Sequence, residues 1–352
     1  MSWAAKRPRL CFRVAGLLGR QVPCCSPVPL PVAPSPVPDN TSWLVPVCHA
    51  DDCGLSEGTT DSIVACYDRG WLRRTSVIVN GAGWNRAVAA LRSRPGLSVA
   101  LHVNLFEGSP LSHPAEVSLL VDERGRFCRS FAALWARGLA AGRAARLRAQ
   151  LRLEMRRQIE KFLEAFGDRR PLSIDGHVHY HVLPLVFQEL MTLHAEYPIE
   201  AIRLPRERLY WPLTRGAPRP AMVNVAKNIV LRALCRRAAA TLEAESVKTP
   251  NAFIGVLGSG AMTLAHVRAA LDHLRRAGMC GTVEILFHPG RARSDEASLW
   301  NDRPELEAFY LSSNRDREAE LLCSAALGSL LRAHGGTADD AHGSATAAEV
   351  AR

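Results

Sequence analysis

From Leu44 onward, short apolar runs alternate with segments of helical periodicity, and this alternation constrains the fold more than any other feature. The apolar runs predict seven strands, at Leu44 to His49, Ser76 to Val79, Leu97 to Val103, Leu172 to Ile174, Ala201 to Leu204, Ala252 to Leu257 and Val283 to Phe287. Helical periodicity predicts helices near residues 57–69, 84–92, 141–166, 184–196, 222–243 and 263–277. Strands that alternate with helices favour a parallel sheet covered on both faces. We therefore expect an α/β fold, a distorted (β/α) barrel of about seven parallel strands, with a flat doubly wound sheet as the alternative.

The chain on either side of this pattern has a different composition. Residues 1–43 include a proline-rich stretch from Pro23 to Pro38, which cannot pack as a helix or a central strand. We predict a disordered extension over residues 1–43, one barrel domain over 44–334 and a disordered tail over 335–352. Within the domain, the basic segment 205–250 is predicted to be an insertion over one end of the barrel.

Charge and cysteine content exclude some classes of function. The formal net charge is +10, but no zinc finger, helix-turn-helix or stacking-aromatic motif accompanies it, so we do not expect a nucleic-acid partner. No apolar run reaches the roughly 20 residues that a membrane-spanning helix needs. The ten cysteines include no CxxC pair, which indicates reduced thiols and a cytoplasmic protein. The oligomeric state stays open, with a homodimer as one option.

Ionisable residues recur where the predicted strands end. Asp51 and Asp52 follow the first strand, and His102 lies on the third. His177 follows the fourth strand and His288 follows the seventh. The carboxyl ends of parallel strands share one face of an α/β fold, where active sites are built. Core packing does not explain four such ends, so we predict that these side chains form one site.

The residue types at these ends are those that metal-assisted amide hydrolysis requires. Adjacent carboxylates cannot both stay ionised cheaply without a compensating cation. One carboxylate with two imidazoles can hold a divalent ion and leave positions open for water and substrate. A bound ion lowers the pKa of water to about 7 in favourable zinc sites. The second carboxylate can then accept a proton from that water, and a histidine from another strand can protonate the departing amine.

Four sequence motifs carry a family resemblance. They are His49-Ala-Asp-Asp-Cys-Gly-Leu-Ser56, Leu101-His-Val-Asn-Leu105, Asp175-Gly-His-Val-His-Tyr-His181 and His288-Pro-Gly290. In this order they resemble the motifs of the YdjC-like carbohydrate deacetylases, which include chitooligosaccharide deacetylases and hopanoid-biosynthesis-associated members. The resemblance covers about residues 44–334. It departs from the family pattern at Cys53, where phenylalanine is usual.

The resemblance implies a role for each matching residue. Asp52, His102 and His177 would hold one divalent metal ion, with magnesium and zinc both open. Asp51 would be the general base, and His288 the general acid or a stabiliser of the transition state. The implied fold is a distorted barrel of the glycoside hydrolase/deacetylase type. The implied substrates are N-acetylated sugars or oligosaccharides.

Three further residues are candidates for substrate binding. In an extended segment His177, His179 and His181 would lie on one side, so one would bind metal and another, His179, would contact the substrate or support a ligand. Arg203 is predicted either to contact the sugar or to anchor the insertion. Trp211 is predicted either to stack on a sugar ring or to pack within its own loop.

Two other functions stay open at this point. A glycoside hydrolase needs two carboxylates that flank a glycosidic bond, and the adjacent Asp51 and Asp52 are poorly placed for that. A metal- or sugar-binding regulatory domain without catalysis would need neither Asp51 as a base nor His288 as an acid. We therefore expect a divalent-metal-dependent hydrolase that removes acetyl groups from N-acetylated sugars.

Overall fold

The computed structural model describes residues 44–138, 141–167, 171–210 and 219–336. The predicted extension 1–43, Trp211 and most of the predicted tail lie outside the described residues. Seven parallel strands form one sheet in the order β5-β4-β3-β2-β1-β7-β6. The strands are β1 (Leu44–Cys53), β2 (Leu72–Val77), β3 (Ser98–Val103), β4 (Leu172–Gly176), β5 (Ile199–Ile202), β6 (Ala252–Ile254) and β7 (Gly281–Phe287).

Helices follow most of these strands, and a run of short helices ends the described chain. The α-helices are α1 (Glu57–Arg69), α2 (Trp84–Arg92), α3 (Phe131–Gly138), α4 (Ala141–Phe166), α5 (Pro184–His194), α6 (Met222–Ala244), α7 (Leu264–Arg276), α8 (Pro304–Tyr310), α9 (Ser313–Leu322) and α10 (Ala325–Ala333). Two 3₁₀ segments span His177–Val182 and Ser294–Trp300. In the described part of the chain, no helix has both the length and the apolar character needed to cross a bilayer.

Strand β1, which lies between β2 and β7 inside the sheet, makes the most regular pairing. It pairs with β7 in unbroken register from Leu44 opposite Gly281 to Ala50 opposite Phe287. Its last six residues are all buried, as expected for a parallel strand covered on both faces. The seven strands curl into a half-barrel, so the predicted distorted barrel is confirmed and the flat sheet is not observed.

The predicted helix over 141–166 is confirmed, and its apolar stripe packs inward. Leu151, Met155, Ile159 and Phe162 are fully buried, at the spacings of three and four that place side chains on one face. The helix lies against α5 and β3. It thereby covers one side of the sheet below the predicted site.

The two edge strands, β5 and β6, are linked by backbone hydrogen bonds at Lys248 and by the side chain of Glu207. The Ile202 N–H donates to the Lys248 carbonyl at 2.9 Å, next to a parallel bridge between Lys248 and β5. The Glu207 carboxylate follows β5 and accepts hydrogen bonds from the N–H groups of Val256 and Leu257, at 2.7 and 2.8 Å. One buried carboxylate therefore joins the carboxyl ends of the two edge strands.

We expect Glu207→Ala to lower the free energy of unfolding by about 2–4 kcal/mol, because two buried N–H groups lose their acceptor. Burial raises the pKa of Glu207 to about 7, so Glu207→Gln is a matched control that keeps a neutral acceptor. Urea unfolding of the three proteins measures the difference. Equal stability of the wild type and the alanine variant would contradict this role.

Candidate active site

The backbone at the end of β1 turns both of its acids toward one histidine. Asp52 has a φ of 71° and Gly54 a φ of 81°, in the left-handed region that is costly for any residue but glycine. A Cβ on Gly54 would lie 2.8 Å from the Ile78 carbonyl oxygen, so only glycine fits there. His102 Nε2 lies 3.8 Å from Asp51 Oδ2 and 3.8 Å from Asp52 Oδ1.

The three residues predicted as metal ligands come together. His177 Nδ1 lies 3.2 Å from Asp52 Oδ1 and 3.3 Å from His102 Nε2. All three side chains are buried. Asp52 Oδ1 is itself buried and accepts no hydrogen bond within the described residues. An unsatisfied carboxylate oxygen that faces two imidazole nitrogens fits a divalent cation bound by all three atoms.

Each of these three side chains is fixed on its far side by an outer partner. His102 Nδ1 lies 2.5 Å from Asp175 Oδ1, and His177 Nε2 lies 2.8 Å from a Glu107 oxygen. Asp175 and Glu107 can each accept the proton of the nitrogen that they contact, so when a cation displaces the proton on the inner side, the lone pairs of His102 Nε2 and His177 Nδ1 would face it beside Asp52. Both terminal nitrogens of Arg315 donate to Asp52 Oδ2 at 3.1 Å. These partners orient the ligand atoms toward one point.

Glu107 connects His177 to the C-terminal part of the chain. Its carboxylate accepts hydrogen bonds from Trp300 Nε1, at 2.7 Å, and from the Tyr310 hydroxyl. Burial alone would lower the pKa of His177, but Asp52 and Glu107 on either side raise it to about 10. The imidazole is therefore held between two negative charges, where a cation is electrostatically favoured.

Asp51, the predicted base, is bound by a buried arginine. Arg203 Nη1 and Nη2 donate to the two Asp51 oxygens at 2.8 and 2.9 Å, and the Ser76 hydroxyl donates to one of them at 2.8 Å. Burial favours the neutral carboxyl group, but the charge of Arg203 outweighs it and holds the pKa of Asp51 well below its usual range. Asp51 is therefore ionised at neutral pH.

The remaining donors of Arg203 also face acids. Its Nη2 lies 2.8 Å from Asp175 Oδ2, and its Nε lies 2.5 Å from Glu284 Oε1. Arg203 is only 3% exposed, among carboxylates inside the barrel. The sequence suggested that Arg203 contacts the sugar or anchors the insertion, and neither role predicted a side chain buried among three acids. Its contacts are those of a residue that neutralises buried acids and orients Asp51.

The histidine-rich segment after β4 is not extended, contrary to the sequence-based geometry. It forms the 3₁₀ segment His177–Val182, in which Val178 and His179 adopt left-handed φ values of 51° and 62°. The three histidines consequently have different surroundings. His181 Nε2 lies 2.8 Å from the Arg203 carbonyl, and His179 packs edge-on against Phe253. Burial, with Lys227 as the next contribution, holds the pKa of His179 well below its usual value, so its ring is neutral.

His288 lies at the end of β7, close to the two acids of β1. Its backbone N–H donates to Glu318 at 2.6 Å, and its ring packs edge-on against Phe309. Burial lowers the pKa of His288 to about 4, while the charges of Asp52 and Asp51 act in the opposite direction. The ring is therefore a neutral imidazole within the electrostatic reach of both carboxylates.

Sequence reasoning missed four charged residues of this site: Glu107, Arg315, Glu318 and Lys227. Glu107 lies two residues after the Leu101–Leu105 motif and begins the segment Glu107-Gly-Ser-Pro-Leu111, which also resembles the family, and this resemblance was the only signal for it. Lys227 lies on α6, where burial lowers its pKa and Asp51 opposes that shift. Cys53 is not among the residues grouped as metal ligands within the described chain, and burial raises the pKa of its thiol to about 12.

Comparison with known proteins agrees with the motifs. The family model described as YdjC-like protein matches residues 47–333. A carbohydrate deacetylase from Mus musculus is 30% identical over 307 residues, which cover 82% of this chain and 91% of that protein. A chitooligosaccharide deacetylase from Serratia marcescens is 34% identical over 161 residues, 46% of this chain and 59% of that protein. A carbohydrate deacetylase from Thermoanaerobacter pseudethanolicus is 42% identical over 85 residues, 24% of this chain and 34% of that protein.

A solved structure supports the fold. A protein from Enterococcus faecalis V583, provisionally described as a cellobiose-phosphate cleavage protein, superposes with a TM-score of 0.61 at 20% identity. The superposition covers 84% of this chain and 96% of that one. The family match spans nearly all of the described barrel and includes every motif from β1 to β7. The chain belongs to the YdjC-like protein family.

Proposed function

We propose that this protein is a divalent-metal-dependent hydrolase that removes acetyl groups from N-acetylated sugars or oligosaccharides. The observation that carries this proposal is the convergence of Asp52 Oδ1, His102 Nε2 and His177 Nδ1, with Asp51 as close to His102 as Asp52 is. The names of the relatives, carbohydrate deacetylase and chitooligosaccharide deacetylase, favour an acetylated sugar as the substrate.

In this proposal Asp52, His102 and His177 hold one divalent cation, and zinc and magnesium are both candidates. When bound, such a cation lowers the pKa of a water molecule and polarises the acetyl carbonyl of the substrate. Asp175, Glu107 and Arg315 keep the three ligand atoms aimed at one point, which is the usual role of outer partners in metal sites.

Asp51 acts as the general base on the attacking water. Its two hydrogen bonds from Arg203 fix the carboxylate and keep it ionised, so it is ready to accept a proton. The same contacts weaken Asp51 as a base, so the water that it deprotonates must be more acidic than bulk water. This requirement agrees with a metal-dependent reaction and not with general-base catalysis alone.

His288 assists departure of the sugar amine, as a general acid or by stabilising the transition state. Its ring is neutral in the free protein, so the acid role requires it to gain a proton after the substrate enters. His179 and Lys227 lie next to this region and are proposed to face the sugar. Trp211 remains a predicted stacking residue.

Glycoside hydrolysis is disfavoured by the charges of the two acids. That reaction needs one carboxyl group that is protonated at working pH. Burial opposes ionisation of both acids. The charge of Arg203 nevertheless brings the pKa of Asp51 below its usual range, and contacts with His177 and Arg315 do the same for the pKa of Asp52. Neither acid can therefore donate a proton to a glycosidic oxygen at neutral pH.

We expect the purified protein to bind one divalent ion, and Asp52→Asn and His177→Gln to weaken that binding by at least about 100-fold. Each variant removes one of three ligand atoms. Elemental analysis after dialysis, with zinc and magnesium tested separately, measures the effect. His113→Gln, at an exposed histidine that is not one of the three proposed ligands, is the matched control and should keep the ion. Equal metal content in Asp52→Asn and the wild type would refute the ligand assignment.

We expect acetate release from N-acetylated chitooligosaccharides to stop on chelation and to resume when metal is restored. Asp51→Asn should keep the ion but lower kcat by roughly 10²–10⁴-fold, because it removes the base. Asp68→Asn, at an acid that pairs with Arg94 on the surface, should keep full activity. Shortened oligosaccharides without acetate would indicate a glycosidase instead.

We expect Arg203→Met to lower the free energy of unfolding by about 3–5 kcal/mol, because three buried acids lose their shared cation. Arg206→Met serves as the control and should change stability by less than about 0.5 kcal/mol, since its side chain makes no ion pair with a described residue. Denaturant unfolding compares the two. If Arg203 were instead a sugar contact, its loss would raise KM and leave stability unchanged.

A further inference from the structure

Four arginines line one cavity that shares no residue with the active site. The cavity has a volume of about 270 Å³ and is lined by Arg206, Arg208, Arg232, Arg236, Asn251, Ala252 and Met279. The first two arginines follow β5, and the other two are one turn apart on α6. The fold thus brings guanidinium groups from two separate segments to a single concave surface.

The charges of these arginines are not compensated within the described chain. None of the four side chains forms an ion pair with a described acidic residue, and no carboxylate lines the cavity. The arginines of α4 differ in this respect. Arg152 and Arg156, for example, pair with Glu189 and Glu196 on or beside α5. These arginines of α4 are therefore neutralised by neighbouring acids, whereas Arg232 and Arg236 of α6 pair with no acid in the described chain.

The unpaired charges are concentrated and partly desolvated. Arg206 and Arg232 are half-buried, and Arg232 and Arg236 are like charges four residues apart on one helix face, an arrangement that destabilises a helix. The pKa of nearby His273 is lowered, first by burial and then by the positive charges of Arg208 and Arg276. An anion in the cavity would relieve this repulsion.

The residue type and the shape of the cavity indicate which anion. The planar guanidinium group matches the oxygens of phosphate in paired hydrogen bonds, which a lysine cannot reproduce. A cavity of about 270 Å³ suits a compact group and not a duplex or an extended chain. No aromatic side chain lines it, whereas single-stranded nucleic acids are usually bound by stacking on aromatic residues.

We propose that this cavity binds a compact phosphate group, carried by a small soluble molecule or by a lipid headgroup. Arg232 and Arg236 on α6 contact the phosphate oxygens from one side, and Arg206 and Arg208 from the other. The cavity and the active site have no residue in common, so phosphate could bind here whether or not the protein is a deacetylase.

Calorimetric titration of the metal-loaded protein with inorganic phosphate at low, constant salt tests the soluble source. We expect Arg236→Ala and Arg232→Ala each to weaken phosphate binding by about tenfold or more, since each removes charge-assisted hydrogen bonds. Arg237→Ala is the matched control: it removes the same charge from the next position of α6, is exposed and does not line the cavity. It should change the affinity less than about twofold.

Co-sedimentation with phosphatidylcholine vesicles, with and without phosphatidic acid, tests the lipid source. Binding that requires phosphatidic acid and is lost in Arg236→Ala, but not in Arg237→Ala, would support the proposal with a headgroup as the ligand. Absence of binding to both phosphate and vesicles would overturn it. So would an equal loss in Arg236→Ala and Arg237→Ala, or binding to a duplex oligonucleotide alone, because each would show only a general effect of charge.

Discussion

The burial of several acids inside the barrel is the constraint on which the rest of the site depends. Among the buried acids of the described chain, Asp51, Asp52, Glu107, Asp175 and Glu284 lie at or around the proposed metal ligands and are each at most 4% exposed. Buried charges of one sign are tolerated only when cations and hydrogen bonds compensate them. Arg203 forms ion pairs with Asp51, Asp175 and Glu284, and Arg315 donates to Asp52. The other oxygen of Asp52 faces two imidazole nitrogens and accepts no hydrogen bond within the described residues. In our account that remaining negative charge is matched by a divalent cation.

The C-terminal helices complete the site, although none of them supplies one of the three proposed metal ligands. The segment 294–322 contributes Trp300 and Tyr310 to Glu107, Arg315 to Asp52 and Glu318 to the backbone of His288. The three proposed metal ligands come from strand ends, whereas contacts that fix the orientation of two of them, Asp52 and His177, come from helices that follow the last strand.

Sequence reasoning identified the residues of the site better than their surroundings. Strand alternation and polar strand ends were sufficient to bring Asp51, Asp52, His102 and His177 together, because parallel strands leave no other common face. The role of Arg203 could not be predicted, since nothing in Ala201-Ile-Arg indicates that its side chain points into a barrel rich in acids. The left-handed turn at Val178 and His179 was missed because alternating histidines suggest an extended strand. Contacts such as Glu107 with Tyr310 join positions about 200 residues apart and leave no periodic pattern.

The most direct test of the central claim is anomalous diffraction from crystals of the protein grown with zinc or manganese. We expect one strong anomalous peak bonded to Asp52 Oδ1, His102 Nε2 and His177 Nδ1, with Asp51 alongside but still held by Arg203. A peak elsewhere in the barrel, for instance at the neighbouring group of His49, Asp51 and Asp175, would contradict it. So would the absence of any peak at saturating metal.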